Sequence, residues 1–357
     1  MIQILPLPLV IARGGGYRVY SVRWGVFEDA EAEGLLLEQV GAVKARVVAI
    51  PDADWPPEML VGMAPGVPSS AEFARRLAEN GCEVLVPVLL NRSDTWSGIP
   101  GIGTTNQPHR EWIYRMAFET GRTIIGYEVQ KVLAAVDWRA SYLQPVGVAG
   151  YGEGGLLALY AASLDARIQA TLVSGYFQPR SREQLWNEPI YRDVWGLLRD
   201  FGDAELAGMI VPRVLVVEAS RFPEVAGPPR AIGERTGAAP GRSITTPPLD
   251  RVRAEVERAR PSFESQHVAG NLQFAGRDGH GPPGTDAALR GLLQALGVKP
   301  APRLAGSAPR DLRTKFDAAA RLRRQFDQLA AHTQALIRKS ELNRTSINLL
   351  TLRTMRV

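Results

Sequence analysis

The sequence predicts an α/β protein: a doubly wound, mostly parallel sheet with a helical extension at its C-terminal end. Three observations carry that expectation. Continuous apolar runs such as ARVVAI at 45–50 and EVLVPVLL at 83–90 suit strands buried on both faces. Such runs alternate along the chain with stretches of helical period, the pattern of a sheet covered on both sides. Residues 145–162, PVGVAGYGEGGLLALYAA, read as a buried strand, a glycine-dense turn and a helix in immediate succession.

Each element follows in order. Residues 17–24 alternate in the strand manner and pair across the FEDAEAE turn with a second strand at 33–38, an antiparallel opening. The strand at 45–50 runs into PDADW. Ser70 is placed to cap a helix, AEFARRLAENG, that stops at Gly81 before the strand at 83–90. Residues 91–108 show no periodicity, and a loop of that length inside a compact unit is usually functional or mobile. Residues 109–139 read as helical with a break near Gly121 and a buried stripe of Ile125, Val129, Val132, Leu133 and Val136. Beyond the glycine turn comes a strand at 168–174. An insertion at 175–208 follows, carrying Tyr176, Phe177, Trp186, Tyr191, Trp195 and Phe201, a composition that suits a cap over the sheet edge and core packing equally well. A strand at 214–217 ends at Glu218. Residues 221–248 are rich in Gly and Pro and read as irregular; a helix at 249–260, a strand at 271–275, the loop GRDGHGPPG and a helix at 285–296 close a domain spanning 1–299. Residues 300–310 read as a linker and 311–357 as a basic helical extension, with Leu312, Phe316, Leu322, Phe326 and Leu329 on the apolar side of a helix over 311–342.

At 357 residues, with 45% hydrophobic and 22% charged, the chain is expected to fold as a soluble globular protein with a sizeable core. The net charge of +5 is unevenly spread: from Pro302 onward there are twelve Lys/Arg against four Asp/Glu, and before it thirty against thirty-three. A mildly acidic body argues against nucleic acid as a partner, and the basic tail reads as a solvated helix face. Cys82 is the only cysteine, so there is no internal disulfide, and no His/Cys/Asp spacing matches a metal site. The N-terminal apolar run has no basic residue ahead of it and no small-residue cleavage pattern. It is a poor signal peptide and too short to span a membrane.

The glycine turn admits two readings. Gly150, Gly152 and Gly155 match the dinucleotide fingerprint G-x-G-x-x-G. That motif needs an acid about 20 residues on, at the end of the next strand. Here the strand ends Val173-Ser174-Gly175-Tyr176, and at least four strands precede a motif that ordinarily opens its domain. No cofactor is therefore expected. The other reading is the nucleophile elbow, G-x-S-x-G, whose strained turn needs small residues two before and two after the nucleophile. Gly150 and Gly154 occupy those places, Tyr151 and Glu153 flank the apex, and the apex itself is Gly152. The hydrolase order then calls for an acid after a later strand and a histidine in the loop after the last one. Of the four histidines only His280 stands there; His109 opens the mid-chain helix, His267 ends another, and His332 lies on the tail.

The sequence resembles the α/β-hydrolase superfamily, in particular its dienelactone-hydrolase and acetyl-xylan-esterase-like branch. The resemblance rests on FARRLAENGCEVLVPVLLNRSD, RTIIGYEVQKVLAAVDW, VGVAGYGEGG and IYRDVWGLLRDFGDAELAGMIVPRVLVVEAS, over roughly residues 40–298. It implies an α/β-hydrolase fold acting on a small-molecule or carbohydrate ester, and three departures argue against that activity here. The branch's serine falls on Gly152, which has no side chain to attack a carbonyl. Its acid falls on Phe222, leaving Glu218 or Glu224 as substitutes. Its oxyanion-building loop reads PDADW, where Asp52 and Asp54 bring the wrong charge to a developing oxyanion. Asp52, Asp54, Trp55 and Asp94 are the expected pocket-lining residues, with His280 and Glu218 the catalytic candidates and Ser174 and Ser220 the residual nucleophiles. The expectation is a catalytically degenerate hydrolase. The alternatives are an esterase using His280 with another nucleophile, an acid/base pairing of His280 with Glu153 or Glu218, and a dinucleotide-binding protein. The run FDAAARLRRQFDQLAAHTQALIRKSELNR resembles the connector of tandem proteins in this branch, which implies a second hydrolase-like domain beyond the C-terminus.

Overall fold

The computed structural model describes residues 2–4, 10–97, 107–140, 143–180, 187–227, 233, 243–276, 278–301 and 307–354. Trp186 and parts of the expected 91–108 loop, the 221–248 stretch and the 300–310 linker lie outside them.

The chain opens with β1 (Ile2–Ile4), β2 (Ala12–Gly14), β3 (Tyr17–Phe27) and β4 (Ala30–Gln39). β3 and β4 form the expected hairpin, each longer than the alternation predicted, and β1 and β2 both pair antiparallel with β3. A doubly wound unit then follows: β5 (Ala45–Ile50), β6 (Cys82–Pro87), β7 (Val146–Tyr151), β8 (Ile168–Ser174), β9 (Val214–Glu218) and β12 (Leu272–Ala275). The sheet order is β1-β3-β4-β6-β5-β7-β8-β9-β12, parallel from β6 onward and antiparallel before it. The short strands β10 (Val225–Ala226) and β11 (Ser243–Ile244) pair separately. β5, β6 and β7 are buried at every position, as the continuous apolar runs require.

Helices cover both faces. On one side α3 (His109–Phe118), α4 (Ile124–Ala140), α5 (Glu153–Leu164) and α8 (Leu249–Glu264) share a core with Val48, Ile50, Leu85 and Val148. On the other, α1 (Pro57–Val61), α2 (Phe73–Glu79) and α9 (Asp286–Ala295) pack on Val47, Ala49, Val84 and Val86. The insertion after β8 contains α6 (Leu197–Asp200) and α7 (Asp203–Gly208). It contributes Tyr176, Phe177 and Tyr191 to the core, while Trp195 stays exposed.

Two boundaries differ from the sequence pattern. Ser70 belongs to a single 3₁₀ turn at Ser69–Ala71, and α2 starts later, from Glu72, without a side-chain cap. The tail helix, α10 (Ala318–Thr354), starts after Asp317 rather than at Asp311 and runs past residue 342. Phe326 and Leu329 of its apolar stripe are buried and the helix contacts β4 and α3, whereas Leu312 and Phe316, expected on the same stripe, precede the helix and are exposed. Four polar clamps fix that docking. Arg321 pairs with both oxygens of Glu58, Arg324 with both of Glu33, Gln325 accepts from Lys131, and Thr333 donates to the Tyr127 hydroxyl.

Candidate functional site

The turn between β7 and α5 keeps the elbow geometry. Gly152 holds φ 58° and ψ −117°, a conformation that only glycine adopts without strain. Its neighbours are small because the chain folds back on itself. A Cβ on Gly150 would lie 1.9 Å from the Gly154 carbonyl oxygen, and one on Gly154 would lie 2.2 Å from that of Ile50. The backbone is therefore that of a nucleophile elbow, and the space above its apex is taken. A Cβ on Gly152 would meet the Pro223 ring at 2.3 Å and an Asp52 carboxylate oxygen at 2.5 Å.

Asp52 reaches that point from the end of β5. Its Oδ2 accepts the backbone N–H of Glu153 at 3.0 Å. In a working elbow the N–H after the nucleophile is one of the two donors that hold the oxyanion. Here a fixed carboxylate occupies it, and Arg92 grips the same group through both guanidinium nitrogens at 2.6 and 3.0 Å.

Glu153 lies behind this pair, fully buried, at the first turn of α5, where the helix dipole favours a negative charge. Three arginines converge on it: Arg192 at 2.6 Å, Arg92 at 3.1 Å and Arg110 at 3.4 Å. Arg110 also pairs with Glu128 at 2.8 Å, and its guanidinium packs over the Tyr191 ring. Arg92 donates to the Tyr191 hydroxyl and to Asp54. Burial alone would raise the Glu153 carboxyl; Arg192, Arg110 and Arg92 overcome it and hold the group well below the carboxylate range. Burial likewise opposes ionisation of Asp52, and Arg92 outweighs it, so both acids stay charged. Neither Asp52 nor Glu153 is therefore poised to exchange a proton near neutral pH.

The remaining candidates stand apart. Glu218, at the end of β9, accepts from the N–H groups of Gly284 and Thr285, the Thr285 hydroxyl and Ser174. It anchors the start of α9, with Thr285 as that helix's cap. Ser220 bonds Ser174 at 2.8 Å, so the two residual serines are held to each other and, through Ser174, to Glu218. His280 is exposed in the loop after β12, and its backbone N–H donates to Asp278 Oδ1 at 3.0 Å. Glu218 and His280 share no hydrogen bond among the described residues. Glu224 pairs loosely with Arg221 on the surface, and Phe222 is buried. Tyr151 points into the body, its hydroxyl donating to the Arg221 carbonyl and its ring 4.6 Å from that of Trp55.

A cavity of about 410 Å³ lies beside the network. Asp54 and Trp55 line it as expected; Asp52 and Asp94 do not, although Ser93 and Thr95 on either side of Asp94 do. His109 lines it too. Its Nε2 accepts the Trp96 N–H at 3.0 Å, its Nδ1 lies 2.8 Å from Asn91 Oδ1, and its ring stacks on Trp96. Burial pushes the ring down to about 4, so it is neutral and acts as the brace of Trp96. His332 is half-buried in the tail against Asp29 and Phe27, and His267 is exposed after α8.

Sequence reasoning missed the roles of Arg92, Arg110, Arg192, Tyr191, Trp96 and Arg321. Arg92 and Trp96 lie in the aperiodic loop read as functional or mobile and Tyr191 among the aromatics of the insertion; the other arginines carry no local signal.

The dienelactone hydrolase family model matches residues 44–191, from β5 through the elbow to the start of the insertion. Among solved structures, a glucuronoyl esterase from Solibacter usitatus superposes with a TM-score of 0.53 at 13% identity, over 83% of this chain and 86% of its own. The chain has the α/β-hydrolase fold. A candidate acetyl xylan esterase from Bacteroides fragilis is similar at TM-score 0.52 and 15% identity, over 82% and 78% of the two chains. A methylesterase aligns at TM-score 0.52 and 14% identity, over 92% of this chain and 68% of its own. No curated protein matches the chain in sequence. Among the described residues, no three His, Cys, Asp or Glu side chains are placed to hold a metal ion. No described helix is long and apolar enough to cross a membrane. Within this α/β-hydrolase fold the glycine turn keeps an elbow backbone, and the N–H that follows its apex is bonded to the Asp52 carboxylate. The same carboxylate, with Glu153 behind it, puts negative charge where the dinucleotide reading would seat a pyrophosphate.

Proposed function

We propose that this α/β-hydrolase-fold protein is a catalytically degenerate member of the esterase-like group, working by binding and not by ester hydrolysis. One observation carries the reading: Asp52 accepts the Glu153 N–H and fills the space a side chain at 152 would need. That single placement removes the nucleophile, blocks an oxyanion donor and puts a negative charge where acyl transfer develops one. The three-arginine cradle of Glu153 supports it, because it makes the filled centre a built part of the core.

An esterase using His280 would need a serine activated by an imidazole, whereas Ser174 bonds Glu218 and Ser220 bonds Ser174. The test is treatment of the purified chain with a fluorophosphonate probe, followed by mass spectrometry beside an active hydrolase. The expected result is no serine adduct. A stoichiometric adduct on Ser174, Ser220 or another serine overturns the proposal and names the nucleophile.

A further inference from the structure

Away from the closed centre, a groove of about 740 Å³ opens where the insertion, the tail helix and the junction of α3 with α4 meet. That volume falls within the range of small-molecule sites, roughly 300–1,000 Å³. The floor is a packed aromatic trio: Phe27 meets Tyr127 edge-on at 5.4 Å and stacks on His332 at 4.5 Å. One wall is the pair Phe118 and Trp195, whose rings meet edge-on at 5.6 Å. These two side chains are 43% and 81% exposed, so a phenyl and an indole stand in water beside a concave aromatic surface. Apolar residues scattered singly need no explanation, whereas aromatics gathered around one concavity mark a binding surface.

Two further features say what such a surface would take. Arg122 lines the groove and is exposed, and its guanidinium has no ion pair, hydrogen bond or ring contact among the described residues. No Asp or Glu among the described residues lines the groove, and Asp29, in the turn after β3, is bonded by His332 Nδ1. Gly126, in the first turn of α4, lines the groove as well. A Cβ there would meet only the Thr123 hydroxyl oxygen, at 3.4 Å, so no described neighbour demands a glycine. Glycine weakens a helix, and here it leaves the backbone of α4 bare toward the groove.

We propose that this groove binds an aromatic carboxylate of more than one ring, its ring system against Trp195 and Phe118 and its carboxylate on Arg122. Aromatic walls receive a flat ligand through stacked and edge-on contacts. A free guanidinium presents a fork that matches a carboxylate through two charge-assisted bonds. A cavity of about 150 Å³ already holds benzene, so this groove has room for a larger ring system. The inference goes beyond the closed-centre reading and does not rest on it, since no member of the Asp52–Glu153 network lines the groove.

The probe is 2-naphthoate, titrated into the full chain by calorimetry beside 2-naphthalenemethanol, its uncharged counterpart, and octanoate, an aliphatic carboxylate. The expected result is one-to-one binding of 2-naphthoate, about three- to tenfold tighter than either comparison compound. Arg122→Gln removes a charge that no described residue pairs with. It is expected to bring 2-naphthoate down to the alcohol's affinity, leaving the alcohol and the melting temperature unchanged. Gly126→Leu fills the groove from α4, where leucine is the better helix former, and is expected to abolish binding of all three compounds without lowering the melting temperature. Should that variant unfold, Trp195→Ala makes the same test at an exposed side chain and is expected to weaken both naphthalenes about tenfold. No saturable heat with 2-naphthoate, an equal or higher affinity for the alcohol or for octanoate, or 2-naphthoate binding untouched by Arg122→Gln or by the groove variants would each overturn the proposal. Heats report binding whether or not the chain hydrolyses an ester or takes up a fluorophosphonate, so this proposal and the closed-centre reading fail separately.

Discussion

The Asp52 carboxylate accepts the backbone N–H of Glu153 at 3.0 Å, so an acid side chain stands at the donor that an α/β-hydrolase elbow uses for its oxyanion. Restoring a serine is therefore not expected to restore ester hydrolysis. Gly152→Ser would push its Cβ against Pro223 and Asp52 at a positive φ, and is expected to destabilise the chain by about 1–3 kcal/mol. Esterase activity on an activated acetyl ester should stay at background. A serine variant that hydrolyses the ester at a rate well above the parent would refute the blocked-centre reading.

Glu153→Gln tests the arginine cradle. Removing one charge leaves Arg92, Arg110 and Arg192 buried with too few partners, which should cost about 3–5 kcal/mol in urea unfolding. A change below about 1 kcal/mol would mean that the arginines find other partners.

The same acids set the response to low pH. Asp52 and Glu153 ionise at lower pH in the folded chain than their unfolded values near 4. Their contribution is therefore complete above about pH 5 and is lost as pH falls through 4 toward the folded values. Melting temperature should drop steeply below about pH 4 in the parent and more gently in Glu153→Gln. Parallel curves would show that other carboxylates govern acid unfolding.

Much of this was legible in the sequence, and what was not has a common cause. The parallel sheet followed from continuous apolar runs, and the elbow from Gly150, Gly152 and Gly154, because strand burial and a tight turn impose local patterns. Asp52 was recognised as the wrong charge for an oxyanion hole, yet its embrace by Arg92, 40 residues away, left no pattern to read. The partners of Glu153 lie 39, 43 and 61 residues distant, two of them on segments chosen for what they touch and not for periodicity. The tail shows the same division. Its apolar stripe announced a packing surface, while the surface itself, with Glu58 lying 263 residues from Arg321, is a property of the fold.

Glu218 was read as a catalytic acid and is placed as the anchor of α9, with four donors on its two oxygens. Glu218→Gln keeps the shape and turns part of the carboxylate into a donor facing backbone N–H groups. A loss of about 2–4 kcal/mol is expected, with protection of amides in α9 falling first in hydrogen exchange. A variant of unchanged stability would argue that Glu218 is kept for a chemical role instead.

Lys131 gives the tail helix a pH response at the alkaline end. Burial pushes its amine down to about 8, against the attraction of Glu128, while its neutral partner Gln325 accepts from it across the tail interface. The unfolded lysine titrates near 10.4, so between about pH 8 and pH 10 the unfolded chain holds more protons than the folded one. Stability must then rise with pH over that window through this group, because the folded state sheds a charge that it houses poorly. Lys131→Met removes the titration, so the difference between the two proteins isolates it from the tyrosines that ionise higher. Met also matches the lysine's length but leaves Gln325 without its donor, so its own offset is constant with pH and only the slope is diagnostic. Urea midpoints measured from pH 7 to pH 10 should show the parent rising relative to the variant; a constant gap would place the charge on Lys131 in both folded and unfolded chains throughout.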